Sequence, residues 1–322
     1  MTTGVNYPWR RYGGDFGPTV WGPAAGIRAH AVPIASDLAA IAAAGLEVVR
    51  WFVFTDARGG LALDVDGWPT GPHADAVADL DALFGLALAA GVRLVPVLFD
   101  HTLGFDASDE GGARLGGHLD WLADPDGQAR LLDAVVAPLA RRYGARGPRA
   151  DLGRAVYAWD LLNEPDWLVA EMHPAERVGR PLPFDVLAAY LRAAAAEFHA
   201  HGDALVTLGG ARLRFARWWD QASLGLDLLQ AHCYYDPDHD FDLLDLPAGG
   251  LGLTRPIVVG ECSALGDAAD DRRGRPPLTV AGLARAARTR GFAGAWPWSW
   301  RGGDRHGALA AGDLAPLRAA HD

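Results

Sequence analysis

Short apolar runs alternate along this chain with longer stretches in which Ala and Leu recur at helical spacing. The runs predict strands over residues 4–7, 47–54, 93–99, 155–162, 205–208, 228–232, 257–260 and 294–298. Between them the pattern predicts helices over 34–44, 74–90, 126–143, 184–201, 217–223, 279–290 and 314–320, with a short turn near 241–246. Strands such as VRLVPVLF and PIVVG are apolar throughout, which fits a parallel sheet covered on both faces. Helices that give way to a Gly just before the next strand, as in AAAGLEVV, LAAGVRLV and TRGFAGAW, carry the left-handed caps expected at the bottom of a barrel. Strand and helix recur eight times. The prediction is one α/β domain over residues 1–322, a closed (β/α)8 barrel with long loops at the carboxyl ends of its strands.

Those loops are residues 10–32, 55–73, 101–125 and 165–182, rich in Gly, Asp, Pro and aromatics. In a barrel they share the face where active sites are built. No G-x-G-x-x-G or Walker-type glycine pattern occurs, so a nucleotide cofactor is not expected, and an open nucleotide-binding sheet loses its main support. The histidines show no HExxH or HxH spacing, so no catalytic metal is expected either. Asp236, Asp238 and Asp240 resemble the start of a calcium loop, but Phe241 and Pro247 stand where that loop needs Gly and Glu.

Composition narrows the partners. The 29 basic residues, all Arg, face 40 acidic ones for a net charge of −11, which argues against nucleic acid and anionic membrane. No apolar run approaches a membrane span and the first residues carry no secretory pattern, so a cytoplasmic protein is the expectation. Two cysteines, Cys233 and Cys262, cannot build a disulfide framework and are expected to be buried free thiols.

The candidate chemistry lies at strand ends. Glu164 closes VYAWDLLNE and Glu261 closes RPIVVGE, and a carboxylate at the end of a buried run costs free energy unless a partner or a task holds it there. Two such residues point to a site that works with two carboxylates. Arg50 and Trp51 end the second strand, Asp100 and His101 the third, Asn163 precedes Glu164 on the fourth, His232 and Tyr234 end the sixth, and Trp298 ends the eighth. All of these would converge on one mouth.

The opening GVNYPW, the Arg of VVRWF, the NEP of WDLLNEP, the HCY, the GE of VVGE and the Trp of WPWSW stand in an order that resembles glycoside hydrolase clan A. The chain is most similar to family 5 and the β-mannanase-like and cellulase-like proteins within that clan. The resemblance implies a retaining β-glycosidase acting on a β-mannoside or β-glucoside, with Glu164 as general acid/base and Glu261 as nucleophile. It further implies that Asn163 binds the sugar 2-hydroxyl, that Arg50 and Tyr234 orient Glu261, that His232 lines the same subsite and that Trp298 floors it. The double-displacement chemistry would hold Glu261 anionic through a cation such as Arg50, and would hold a proton on Glu164 through apolar neighbours such as Trp159 or Trp167.

Twelve Trp residues add to this, because flat aromatic faces stack on sugar rings. Trp9, Trp51, Trp167 and Trp300 are the expected sugar contacts, and Asp100 with His101 is expected to bond sugar hydroxyls. Walled by four long loops, the cleft is expected to suit an exo-acting enzyme on short oligosaccharides. The alternatives are a catalytically silent carbohydrate-binding barrel, which the intact carboxylate pair argues against, and a transglycosylase using the same two glutamates.

Overall fold

A computed structural model describes residues 2–235, 242–267, 274, 276–309 and 311–321. The Asp236 to Asp240 segment therefore lies outside the described residues, as does Phe241. Eight parallel strands close into a barrel: β1 Thr2–Asn6, β2 Val48–Phe52, β3 Arg93–Val97, β4 Ala158–Asn163, β5 Leu205–Gly210, β6 Leu229–His232, β7 Ile257–Glu261 and β8 Gly294–Ala295. Each pairs with its sequence neighbour, and β1 pairs with β8 to complete the ring.

Helices follow the strands as the periodicity predicts: α1 Ala31–Ala43, α2 Ala74–Ala90, α4 Phe184–His201, α7 Val280–Thr289 and α8 Ala311–His321. The helix after β3, α3, runs from Pro125–Leu131 through a π-helical stretch, Leu132–Val136, into Ala137–Tyr143. After β5 and β6 the helices shrink to α5 Ala216–Trp219 and α6 Asp242–Asp245. Gly45, Gly91 and Gly291 adopt φ of 78°, 77° and 85°, so each turns the chain out of a helix in the left-handed region that a side chain disfavours.

Strand β8 is shorter than the apolar run 294–298 predicts, because Pro297 has no N–H to extend the ladder. Two hairpins that the sequence pattern did not predict decorate the loops, Leu61–Leu63 with Pro69–Pro72 and Ser108–Glu110 with Ala113–Leu115.

The barrel interior is layered. Val48, Val95, Ala158, Leu228, Val258 and Trp296 fill one apolar layer. Above it sits a buried polar layer built around Arg50, whose Nε is 2.9 Å from Asp160 Oδ2, while Gln230 Nε2 donates to the same oxygen at 2.9 Å. Among the described residues no helix is long and apolar enough to cross a membrane.

Candidate active site

The sequence places Arg50 two residues before the end of β2, with its side chain directed into the barrel. Because successive strand residues face opposite ways, Arg50 inside the barrel puts its neighbour outside. Arg50 Nη1 lies 2.6 Å from Glu261 Oε1 and donates to Asn6 Oδ1 at 3.1 Å, and its Nη2 donates to Asn163 Oδ1 at 2.6 Å. Burial works against its charge, and Asp160 and Glu261 more than restore it. A fully buried guanidinium thus ties β1, β2, β4 and β7 together through two carboxylates, Asp160 and Glu261.

Glu261 ends β7 with its other oxygen, Oε2, accepting from Tyr234 OH at 2.7 Å. Glu164 follows β4 in the left-handed region at φ 51°, and its N–H donates to Gly209 O at 2.5 Å. That turn aims its carboxyl group into the mouth, where Oε1 is 2.7 Å from His232 Nδ1 and Oε2 accepts from Trp167 Nε1 at 3.0 Å. His232 Nδ1 also lies 3.5 Å from Glu261 Oε1, so one imidazole bridges the two carboxylates. Gly209, at the end of β5, leaves the room: a Cβ there would meet Arg50 Nη2 at 2.7 Å and both Asn163 Oδ1 and His232 Nε2 at 3.0 Å.

His101 sits 2.9 Å from Asp100 Oδ1 and 3.7 Å from Glu164 Oε2. Burial would lower its pKa, but Asp100 outweighs that and raises it to about 9. Asp100, in turn, is held below the usual carboxylate range: burial pushes it up, and His101, Thr102 and Asn163 pull it further down. Both of its oxygens are taken by protein donors, from Asn163 Nδ2 at 2.7 Å and Thr102 Oγ1 at 2.5 Å. Asp100 therefore braces His101 and Asn163, and it also lines the cavity in which the sequence suggested a contact to sugar.

The electrostatics of the pair correct the sequence expectation. Burial pushes Glu164 up, but His232 and His101 outweigh it and leave the carboxyl lowered. For Glu261 burial dominates, and His232, Arg50 and Tyr234 offset it only in part, so it is raised. The expectation gave Glu164 Trp159 or Trp167 as a neighbour; Trp167 is there at 3.0 Å, and two imidazoles join it. Trp159, offered there as such a neighbour, instead stacks on Phe198 at 4.6 Å in the helix layer.

Glu164, Glu261, His232 and Tyr234 line one cavity of about 1230 Å³, which also takes in Asp100, His101, Asn163, Trp9, Trp167 and Trp298. It exceeds the roughly 300–1,000 Å³ usual for small-molecule sites. Trp298 is packed edge-on against Phe52 and Trp9 at 5.7 Å each, and its Nε1 donates to Asp304 Oδ2 at 2.6 Å.

Two of the expected sugar contacts lie outside the main cavity. Trp51 is fully buried behind β2 against Tyr7, with ring centroids 4.2 Å apart, and its Nε1 donates to Asp15. It faces outward because Arg50 faces inward. Trp300, 5% exposed, is outside the main cavity and lines a smaller one of about 260 Å³ that shares Trp9, Tyr12 and Trp298 with it. Conversely, Asn6, Asp160 and Gln230 were not singled out from sequence, although each is a polar residue inside an apolar run.

Both cysteines are buried. Among the described residues, Glu164, His232 and Glu261 form the group whose potential metal-ligating atoms fall within 4.8 Å of one another. Arg50 already supplies a cation there, 2.6 Å from Glu261.

No protein-family model and no curated protein matches the chain. Solved structures do. The endo-1,4-β-mannanase of Eisenia fetida superposes with a TM-score of 0.75 at 21% identity, covering 99% of this chain and 91% of that one. The β-1,4-D-mannanase of Cryptopygus antarcticus gives 0.76 at 17% identity, over 99% and 90% of the two chains. The chain shares their fold. A glycoside hydrolase family 5 mannosidase from Rhizomucor miehei also superposes, with a TM-score of 0.59 at 15% identity over 99% and 92%. The mannanase barrel thus matches this one from end to end.

Proposed function

We propose that this protein hydrolyses β-1,4-linked mannosides with retention of configuration. One observation carries the reading: ligating oxygens of Glu164 and Glu261 come within 4.8 Å across the barrel mouth. That closest approach is compatible with the carboxyl separation of about 5–5.5 Å used for double displacement. The mannoside class is supported by the barrel's likeness to mannanases and mannosidases, closer in TM-score for the former.

In this reading Glu261 attacks the anomeric carbon while Glu164 gives its proton to the departing glycosidic oxygen. A glycosyl ester forms on Glu261. Water, deprotonated by Glu164, then attacks the same carbon, which frees the sugar and restores both groups. Arg50 and Tyr234 hold Glu261 in line and stabilise it when it leaves as a carboxylate.

The cycle needs one proton on the pair, and needs it on Glu164. His232 Nδ1, 2.7 Å from Glu164 and 3.5 Å from Glu261, sits between the two carboxylates that divide these tasks.

A panel of aryl β-glycosides with manno-, gluco- and xylo-oligosaccharides tests the proposal. Turnover of the mannosides by wild type and its loss in Glu261→Ala is the expected result. Turnover only of glucosides would overturn the sugar, and binding without turnover would favour a silent carbohydrate-binding barrel.

A further inference from the structure

Tyr12, Trp21 and Trp218 are the exposed large aromatic residues among those described, at 50%, 40% and 38%. Two of the three meet at one place. The guanidinium of Arg58 lies 4.1 Å from the ring centroid of Tyr12 and 5.9 Å from that of Trp21. Exposed rings on a soluble protein are a liability unless something covers them.

The support under these rings is costly to build. Arg58 is 4% exposed and forms a two-pronged pair with Asp56, Nε to Oδ1 at 2.7 Å and Nη2 to Oδ2 at 2.8 Å. Its Nη1 is buried with no hydrogen-bond partner among the described residues. Burying such a pair seldom adds net stability. The turn that carries it holds two non-glycine residues at positive φ, Thr55 at 55° and Ala57 at 66°. Gly13 lets the loop after β1 lie directly on this pair, since a Cβ there would fall 2.4 Å from Arg58 Cδ. Trp21 is fixed at its far edge, where Nε1 donates to Glu110 O at 2.8 Å. Side chains left in water do not need such a floor, and strain of this kind collects where a surface has a task.

The rings also continue the cleft. Trp298 packs on Trp9 at 5.7 Å, and Trp9 on Tyr12 at 4.6 Å, so packed aromatic rings run from the cavity out to Tyr12, where Arg58 links Tyr12 to Trp21. Trp167, bonded to the proton donor Glu164, belongs in that reading to the leaving-group side. Trp298 is the residue expected to floor the glycone subsite, so the path from it through Trp9 and Tyr12 extends the glycone side.

Resting on the functional reading above, we infer that Tyr12 and Trp21, carried on the Asp56–Arg58 pair, form a distal platform. It stacks sugar rings of a β-linked hexopyranose chain several residues on the non-reducing side of the bond cleaved. The natural substrate is then a polymer or long oligomer cut internally, in place of the short oligomers and exo action suggested by the loop lengths.

The test compares wild type, Trp21→Ala and Trp21→Phe on mannohexaose and on an aryl β-mannobioside, with gel retardation by soluble mannan of Glu261→Gln and of Glu261→Gln carrying Trp21→Ala. Trp21 lies outside the main cavity, so its truncation is expected to leave the short substrate unchanged. On the hexasaccharide it lowers kcat/KM about 3- to 10-fold, and Trp21→Phe restores most of that. Equal losses on both substrates, or none on either, would overturn the platform. If wild type turns over no sugar at all but mannan retards Glu261→Gln and not the double variant, the hydrolase reading fails and the platform stands. Retardation that Trp21→Ala leaves intact counts against the platform whatever the activity.

Discussion

Arg50 is held by four groups at once, Asn6, Asp160, Asn163 and Glu261, so removing its guanidinium leaves two carboxylates buried without a countercharge. Arg50→Ala should cost about 3–5 kcal/mol in urea unfolding and lower kcat by roughly 100-fold or more. Arg50→Lys keeps the charge and loses the fork that reaches four partners, so it should recover stability better than activity. The displaced tryptophan makes the opposite prediction. Trp51→Ala should destabilise the fold by about 3–5 kcal/mol while leaving KM for mannosides near wild type, because the ring packs behind the barrel wall. A raised KM with unchanged stability would return Trp51 to the cleft. Residue type alone suggested a sugar contact there; strand parity, with Arg50 pointing inward, would have placed it correctly.

At the scale of elements, the carboxyl end of β5 governs the space between Arg50, Asn163 and His232. Gly209→Ala drives a methyl group into all three, so we expect activity to fall by about 10-fold or more with native-like circular dichroism and a retained cooperative unfolding transition. The strands themselves were legible because parallel strands covered on both faces read as continuous apolar runs, and Glu164 and Glu261 were legible because each ends such a run with a charge. The two loop hairpins were not, since three residues of alternation are too few to mark a strand. Asp160 escaped notice for a related reason: one charge inside WDLLNEP looks incidental until the barrel closes and Arg50 stands 2.9 Å away. The carboxyl electrostatics could not be read from local sequence, because His101 and His232 reach Glu164 from the turn after β3 and from the end of β6.

For the molecule as a whole, buried titrating groups set how stability follows pH. His101, raised to about 9 beside Asp100, contributes on the order of 3 kcal/mol below its unfolded pKa, and this is lost as pH rises through 9. Asp15 and Asp166, each raised to about 6 chiefly by burial, act in the same sense at lower pH: what they contribute below the ordinary Asp pKa is lost as pH rises through 6. Asp100 is lowered despite its burial, so its contribution is present above the ordinary Asp pKa and is lost as pH falls. Thermal unfolding of wild type should therefore weaken from pH 7 to pH 10, and His101→Gln should flatten that slope; an unchanged slope would remove the His101 imidazolium from the account.

The central claim is that Glu261 attacks the sugar. Incubation with a 2-deoxy-2-fluoro-β-mannoside bearing an activated leaving group, followed by peptide mass spectrometry, tests it most directly. One added fluorosugar is expected on the peptide that contains Glu261, and none in Glu261→Gln. Labelling at Glu164 or elsewhere, or turnover of the parent mannoside to an inverted product, would contradict it.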